Sequence, residues 1–86
     1  MNPAPLTLHL NDESLEYRLH GQTVHDGAAL EVFDGRDWVW GLYSWEYEPH
    51  CPPRLLYRAG RERHQNILEI GADTPCRWGE RERLYA

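Results

Sequence analysis

The segment Leu30-Glu31-Val32-Phe33-Asp34-Gly35-Arg36-Asp37-Trp38-Val39-Trp40-Gly41-Leu42-Tyr43-Ser44-Trp45 constrains the fold more than any other part of the chain. Asp-Gly flanked by β-branched and aromatic residues is the short-range signature of a β-hairpin. Residues opposite one another across an antiparallel pair share a face of the sheet. With an even loop, either Asp34-Gly35 or Asp34 to Asp37, Leu30 and Val32 share a face with Val39, Gly41, Tyr43 and Trp45. Glu31 and Phe33 then share the opposite face with Trp38, Trp40 and Leu42, and the carboxylate of Glu31 marks that face as outward. The expectation is therefore Val39 inward, Trp38 and Trp40 outward, and Gly41 where strands press together too closely for a side chain. An odd loop with a bulge would reverse the faces and bury both tryptophans.

The rest of the chain repeats the two-residue period. Leu6, Leu8 and Leu10 alternate with polar residues, as do Leu15, Tyr17 and Leu19, and Asn11 to Ser14 lies between them as a turn. This predicts an N-terminal hairpin with strands near 6–10 and 15–20. Pro49, Pro52 and Pro53 interrupt the sheet, because each removes a ladder donor. Strands are expected again at Leu55-Leu56-Tyr57, at Asn66 to Ile70 and at Cys76-Arg77-Trp78, with turns at Ala59-Gly60-Arg61 and Gly71 to Pro75. No segment shows the periodicity of a long helix, and Glu80 to Arg83 is read as one helical turn.

In order, Gly27-x-x-Leu30-Glu31-Val32, Asp34-Gly35, Trp38-Val39-Trp40-Gly41-Leu42-Tyr43, Arg54-Leu55-Leu56-Tyr57, Gly60 and Ile67-x-x-Ile70 resemble the strands and turns of SH3-like barrels of the Tudor type. The resemblance spans about residues 20 to 80 and is one of pattern, not of a specific motif. The Glu31-Val32-x-x-Gly35-x-x-Trp38-Val39 core is also similar to short bacterial proteins of unknown function, which implies no activity. The expected fold is all-β: a small antiparallel SH3-like barrel of five to seven short strands with no long helix. At 86 residues one domain is expected, with residues 1–20 as its hairpin and 21–80 as the barrel.

Four Trp, five Tyr and one Phe are a heavy aromatic load for so short a chain. On the even-loop reading Phe33, Trp38 and Trp40, beside Glu31, form a contiguous outward patch, the usual mark of a contact surface. The competing reading is that Leu6, Leu8 and Leu10 pack over it as a second small core. Tyr43, Trp45, Tyr47 and Tyr57, near Glu46 and Glu48, suggest an aromatic cage for a cation, though core packing is the favoured reading for Tyr43, Trp45 and Tyr57.

The net charge of −5 disfavours phosphate-rich or anionic partners, but it is segregated. Residues 1–53 hold two Arg against nine acids, and residues 54–86 hold seven Arg against five. Tyr57, Arg58, Arg61, Arg63, Trp78 and Arg81, with Arg77 and Arg83, are thus an alternative nucleic-acid strip. Glu62, Glu69, Glu80 and Glu82 are interleaved with these arginines, as on a solvated ion-pair surface.

His50, Cys51, His64 and Cys76 lack zinc-ligand spacing, and no glycine-rich loop precedes a helix. Cys51 with His20, His25 or His64 lacks a surrounding catalytic apparatus. Neither metal, cofactor nor catalysis is expected. Two cysteines are too few for a disulfide framework, and with no membrane span or leader pattern a cytoplasmic location is expected, although one Cys51–Cys76 pair stays open. The expected function is a non-catalytic interaction module that binds a peptide segment, a partner protein or its own copy through Phe33, Trp38, Trp40 and Glu31. Glu31 and the acidic first half favour an Arg- or Lys-bearing partner. The alternative is an accessory RNA- or DNA-binding barrel.

Overall fold

A computed structural model describes residues 2–10 and 14–79. Eight strands follow one another: β1 (Thr7–Leu10), β2 (Leu15–Leu19), β3 (Gln22–Thr23), β4 (Ala29–Phe33), β5 (Trp38–Ser44), β6 (Arg54–Ala59), β7 (His64–Glu69) and β8 (Cys76–Trp78). They form two antiparallel sheets, one ordered β1-β2-β3 and the other β7-β6-β5-β4-β8. The protein is all-β, as the two-residue period predicts, and the described residues include no helix. The helical turn expected at Glu80 to Arg83 lies outside the described residues.

The β4–β5 hairpin has an even loop. Phe33 pairs with Trp38, Val32 with Val39, Glu31 with Trp40 and Leu30 with Gly41, which leaves residues 34–37 as the connection. Asp34 shapes it: the backbone N–H groups of Arg36 and Asp37 both donate to Asp34 Oδ1, at 2.8 and 2.7 Å, and Asp34 N–H donates to the carbonyl of Asp37 at 3.0 Å. Leu30, Val32 and Tyr43 are buried on the inner face, with Val39 packed beside them. Glu31, Phe33, Trp38 and Trp40 lie on the outer face.

The N-terminal sheet caps the inner face. Leu6, Leu19 and Val24 join Leu30, Val32, Tyr43, Trp45, Leu55, Ile70 and Cys76 in one core. Leu19 and Gln22 are opposed across His20-Gly21, both at positive φ (53° and 79°), which is the two-residue turn that suits strand twist. The sheets are also stitched by backbone: Ala4 and Cys76 exchange N–H···O bonds of 3.0 and 2.8 Å.

The closed barrel of five to seven strands is replaced by two sheets with eight strands. The extra strand is the two-residue β3, too short to show alternation. The barrel stays open at both ends of the larger sheet: Ala4 makes one isolated bridge to β8 instead of a ladder, and among the described strands β7 pairs only with β6. Pro3 and Pro5 fix φ near −65° on either side of Ala4, the polyproline range and not the strand range.

Gly41 marks the tightest approach. A Cβ there would lie 2.5 Å from the carbonyl oxygen of Leu56 and 2.8 Å from Cγ of Leu55. Backbone cannot yield cheaply, so Gly41→Ala is expected to lower unfolding free energy by about 2–3 kcal/mol in urea titration. Hydrogen bonds from Asp37 and Arg36 hold the Asp34 carboxyl below its ordinary value. A depressed carboxylate stabilises the fold at pH above its unfolded value, and this is lost as pH falls through the folded one. Between neutral pH and about pH 3 the urea midpoint of the wild type should therefore fall further than that of Asp34→Ala.

Candidate functional site

The outer face of the larger sheet is built around tryptophan and arginine. Phe33 and Trp38, directly opposed in the hairpin, stack with ring centroids 5.4 Å apart at a 54° tilt. On the other side of β4, β8 sets Arg77 opposite Glu31. There Arg77 Nε donates to Glu31 Oε1 at 2.8 Å while its guanidinium carbon lies 4.0 Å from the Trp38 ring centroid. Trp40, opposed to Glu31, rests its indole against Gly79, where a Cβ would come within 2.8 Å of Trp40 Nε1.

The four residues expected on the outward patch are thus brought together, half-buried by one another and by Arg77. The leucines of the N-terminal strand do not cover them. Leu6 is buried in the inner core, and Leu8 is exposed on β1.

Beside this patch the sheet opens. β5 and β6 are paired only through Leu42–Leu56, Tyr43–Leu55 and Ser44–Arg54, although both strands continue. Past Gly41 they part and leave a groove of about 870 Å³. Trp38, Val39 and Trp40 line its β5 wall, and Tyr57, Arg58 and Ala59 its β6 wall. Leu42 and Leu56 close one end, with Arg63 and Gln65 toward β7. Arg63, at φ 58°, turns its carbonyl to accept from Arg58 Nη1 at 3.1 Å. Among the described residues no acidic side chain lines the groove.

The alternative strip is divided by the fold. Tyr57, Arg58 and Arg63 line the groove with the tryptophans, and Arg61 is in the β6–β7 turn. Trp78 pairs with Leu30 and packs against the inner core, its Nε1 buried without a hydrogen-bond partner among the described residues. Arg81 lies outside the described residues.

Of the second aromatic cluster, Tyr43 and Trp45 serve the core, while Tyr47 is exposed. Trp45 is buried, with Tyr17 edge-on at 4.7 Å, and its Nε1–H donates to the carbonyl of Cys51 at 2.6 Å, which ties down the proline loop. Tyr43 is 1% exposed, and burial pushes its hydroxyl above the ordinary phenol range. Glu46 pairs with Arg54 at 2.8 Å. Tyr57 departs from the core reading, being half-buried on the groove. Cys51 and Cys76 are free thiols, and burial raises Cys76 to about 11. Among the described residues no three His, Cys, Asp or Glu side chains are grouped to hold a metal ion, and no helix is long and apolar enough to cross a membrane.

Comparison with protein families, curated proteins and solved structures found no match. The site rests on its own geometry. Arg77→Met removes the hydrogen bond to Glu31 and the cation over Trp38, both partly solvated. It should cost about 1 kcal/mol of stability and shift tryptophan emission to the red as Trp38 gains water, read by denaturation and fluorescence.

Proposed function

We propose that this protein is a non-catalytic interaction module that holds an extended peptide segment of a partner protein in the β5–β6 groove. The observation that carries this reading is the composition of the groove. Three aromatic residues and two arginines converge there without an acid among the described residues, in a chain of net charge −5. Trp, Tyr and Arg are the residue types in which contact energy concentrates. Glu31 points to a different partner from the one its charge suggests, because its carboxylate already meets Arg77. The groove therefore favours a peptide that pairs aliphatic side chains with Asp or Glu at Arg58 and Arg63. The resemblance to SH3-like barrels is in keeping with such a role, and so is a cytoplasmic location.

Tyr57, Arg58 and Arg63 in the groove also favour single-stranded nucleic acid as a second reading. The peptide is preferred because Val39, Leu42, Leu56 and Ala59 make much of the lining aliphatic, and because the Trp38 ring is engaged by Arg77 and Phe33. Selection from a random peptide display library tests this. Apolar sequences bearing Asp or Glu should be enriched, and Trp40→Ala and Arg58→Glu should each weaken a selected peptide at least tenfold in fluorescence anisotropy. Retention of affinity in both variants overturns the site. Binding of oligo(dT) that weakens steeply with salt, with no peptide enriched, would establish the nucleic-acid reading instead.

A further inference from the structure

The two ends of the larger sheet differ. β8 is bridged by Ala4, whereas β7 is the last strand at its end, six residues long, with no strand beyond it among the described residues. Which of its backbone groups face outward follows from the ladder. Ile70 N–H donates to the carbonyl of Pro53, and Tyr43 N–H donates to that of Ala28. Alternation from these bonds turns the main-chain groups of His64, Asn66 and Leu68 toward β6 and those of Gln65, Ile67 and Glu69 away from the sheet. The side chains of these last three stand on the outer face, and Ile67 is 57% exposed. An exposed, regular edge with an apolar side chain at its centre is a template for another strand.

We propose that β7 pairs antiparallel with β7 of a second copy about a two-fold axis at Ile67, which joins two larger sheets into one. This register uses all three outward-facing residues: Ile67 opposes Ile67, and Gln65 opposes Glu69 on each side of the axis. Each of the three pairs exchanges two main-chain hydrogen bonds. The side chains match along the same rows. Leu42, Leu56 and Ile67 are aligned across β5, β6 and β7, and the row continues through Ile67, Leu56 and Leu42 of the second copy. On either side Arg54 and Glu69 of one copy continue into Gln65 and Arg58 of the other. Each Glu69 thus lies between its own Arg54 and the Gln65 amide of the second copy, with Arg58 next in the row.

Other registers lose this match. Sliding one way sets Glu69 opposite Ile67 and then opposite its own copy, carboxylate against carboxylate. Sliding the other way runs the ladder into Arg63, which is at φ 58° in the turn. The inference rests on the edge of β7 and not on occupancy of the groove. The dimer would present two grooves on one continuous face, related by the two-fold axis.

Sedimentation equilibrium of the full chain tests the pairing. The wild type should approach twice its 10.1 kDa chain mass as concentration rises. Ile67→Arg, which sets two charges face to face, should stay at the monomer mass. Ile67→Pro should also be monomeric with an unchanged far-ultraviolet circular dichroism spectrum, because the lost N–H points away from β6. Cα atoms directly opposed in a hydrogen-bonded pair are about 5.5 Å apart, within disulfide range. Ile67→Cys in a Cys51→Ser background should therefore give a disulfide-linked dimer under mild oxidation. A wild type at monomer mass up to about 0.5 mM, or a folded Ile67→Pro variant that still dimerises, overturns the pairing, and absence of the cross-link overturns the register. Peptide capture by monomeric Ile67→Pro separates this outcome from that of the groove.

Discussion

The double hydrogen bond from the backbone of Arg36 and Asp37 to the Asp34 carboxylate sets the loop of the central hairpin at four residues. Everything else depends on that number being even. Because the side-chain period of a strand is two, one residue more would exchange Leu30 and Val32 for Glu31 and Phe33 on the inner face. With the loop at four, β5 gives Tyr43 and Val39 to the core and Trp38 and Trp40 to the outside. β6 and β8 inherit those faces through their pairing with β5 and β4.

Gly41 lies at the boundary between that regular sheet and its opening. A flat continuation of β5 along β6 would align Trp40 with Arg58, but the close approach of Leu55 and Leu56 at Gly41 is where the ladder stops. The residues beyond it on both strands become walls. The missing side chain on the inner face admits Leu55 and the Leu56 carbonyl beside the last rung of the ladder, and the groove begins beyond it.

The parity of the hairpin was legible because Glu31 lies between two aliphatic residues and names the wet face without help from the fold. The N-terminal hairpin was legible for the same reason, its leucines alternating with polar residues on both strands. The groove was not legible. Trp38 and Trp40 read as one surface and Tyr57, Arg58 and Arg63 as another, because no local pattern reveals that the β5–β6 ladder ends at Leu42–Leu56. Nor was the role of Arg77, which reaches Glu31 across 46 residues of chain because β8 returns beside β4 and not beside its predecessor β7. No local pattern distinguishes that return from a simple meander. His20-Gly21 carried a usable signal, since His is one of the few residues enriched at positive φ and glycine adopts it freely.

Cys76 occupies the seam between the two sheets. It pairs with Val32 on one side and with Ala4 on the other, and its sulfur lies wholly in the core. A thiol reagent can reach it only when the N-terminal segment lifts from β8 or the whole molecule opens, whereas Cys51 sits partly open in the proline loop. The chain thus carries its own pair of chemical clocks. The fast one reports the loop, and the slow one measures how often the small sheet lets go of the large one, which no spectroscopic average over four tryptophans can resolve.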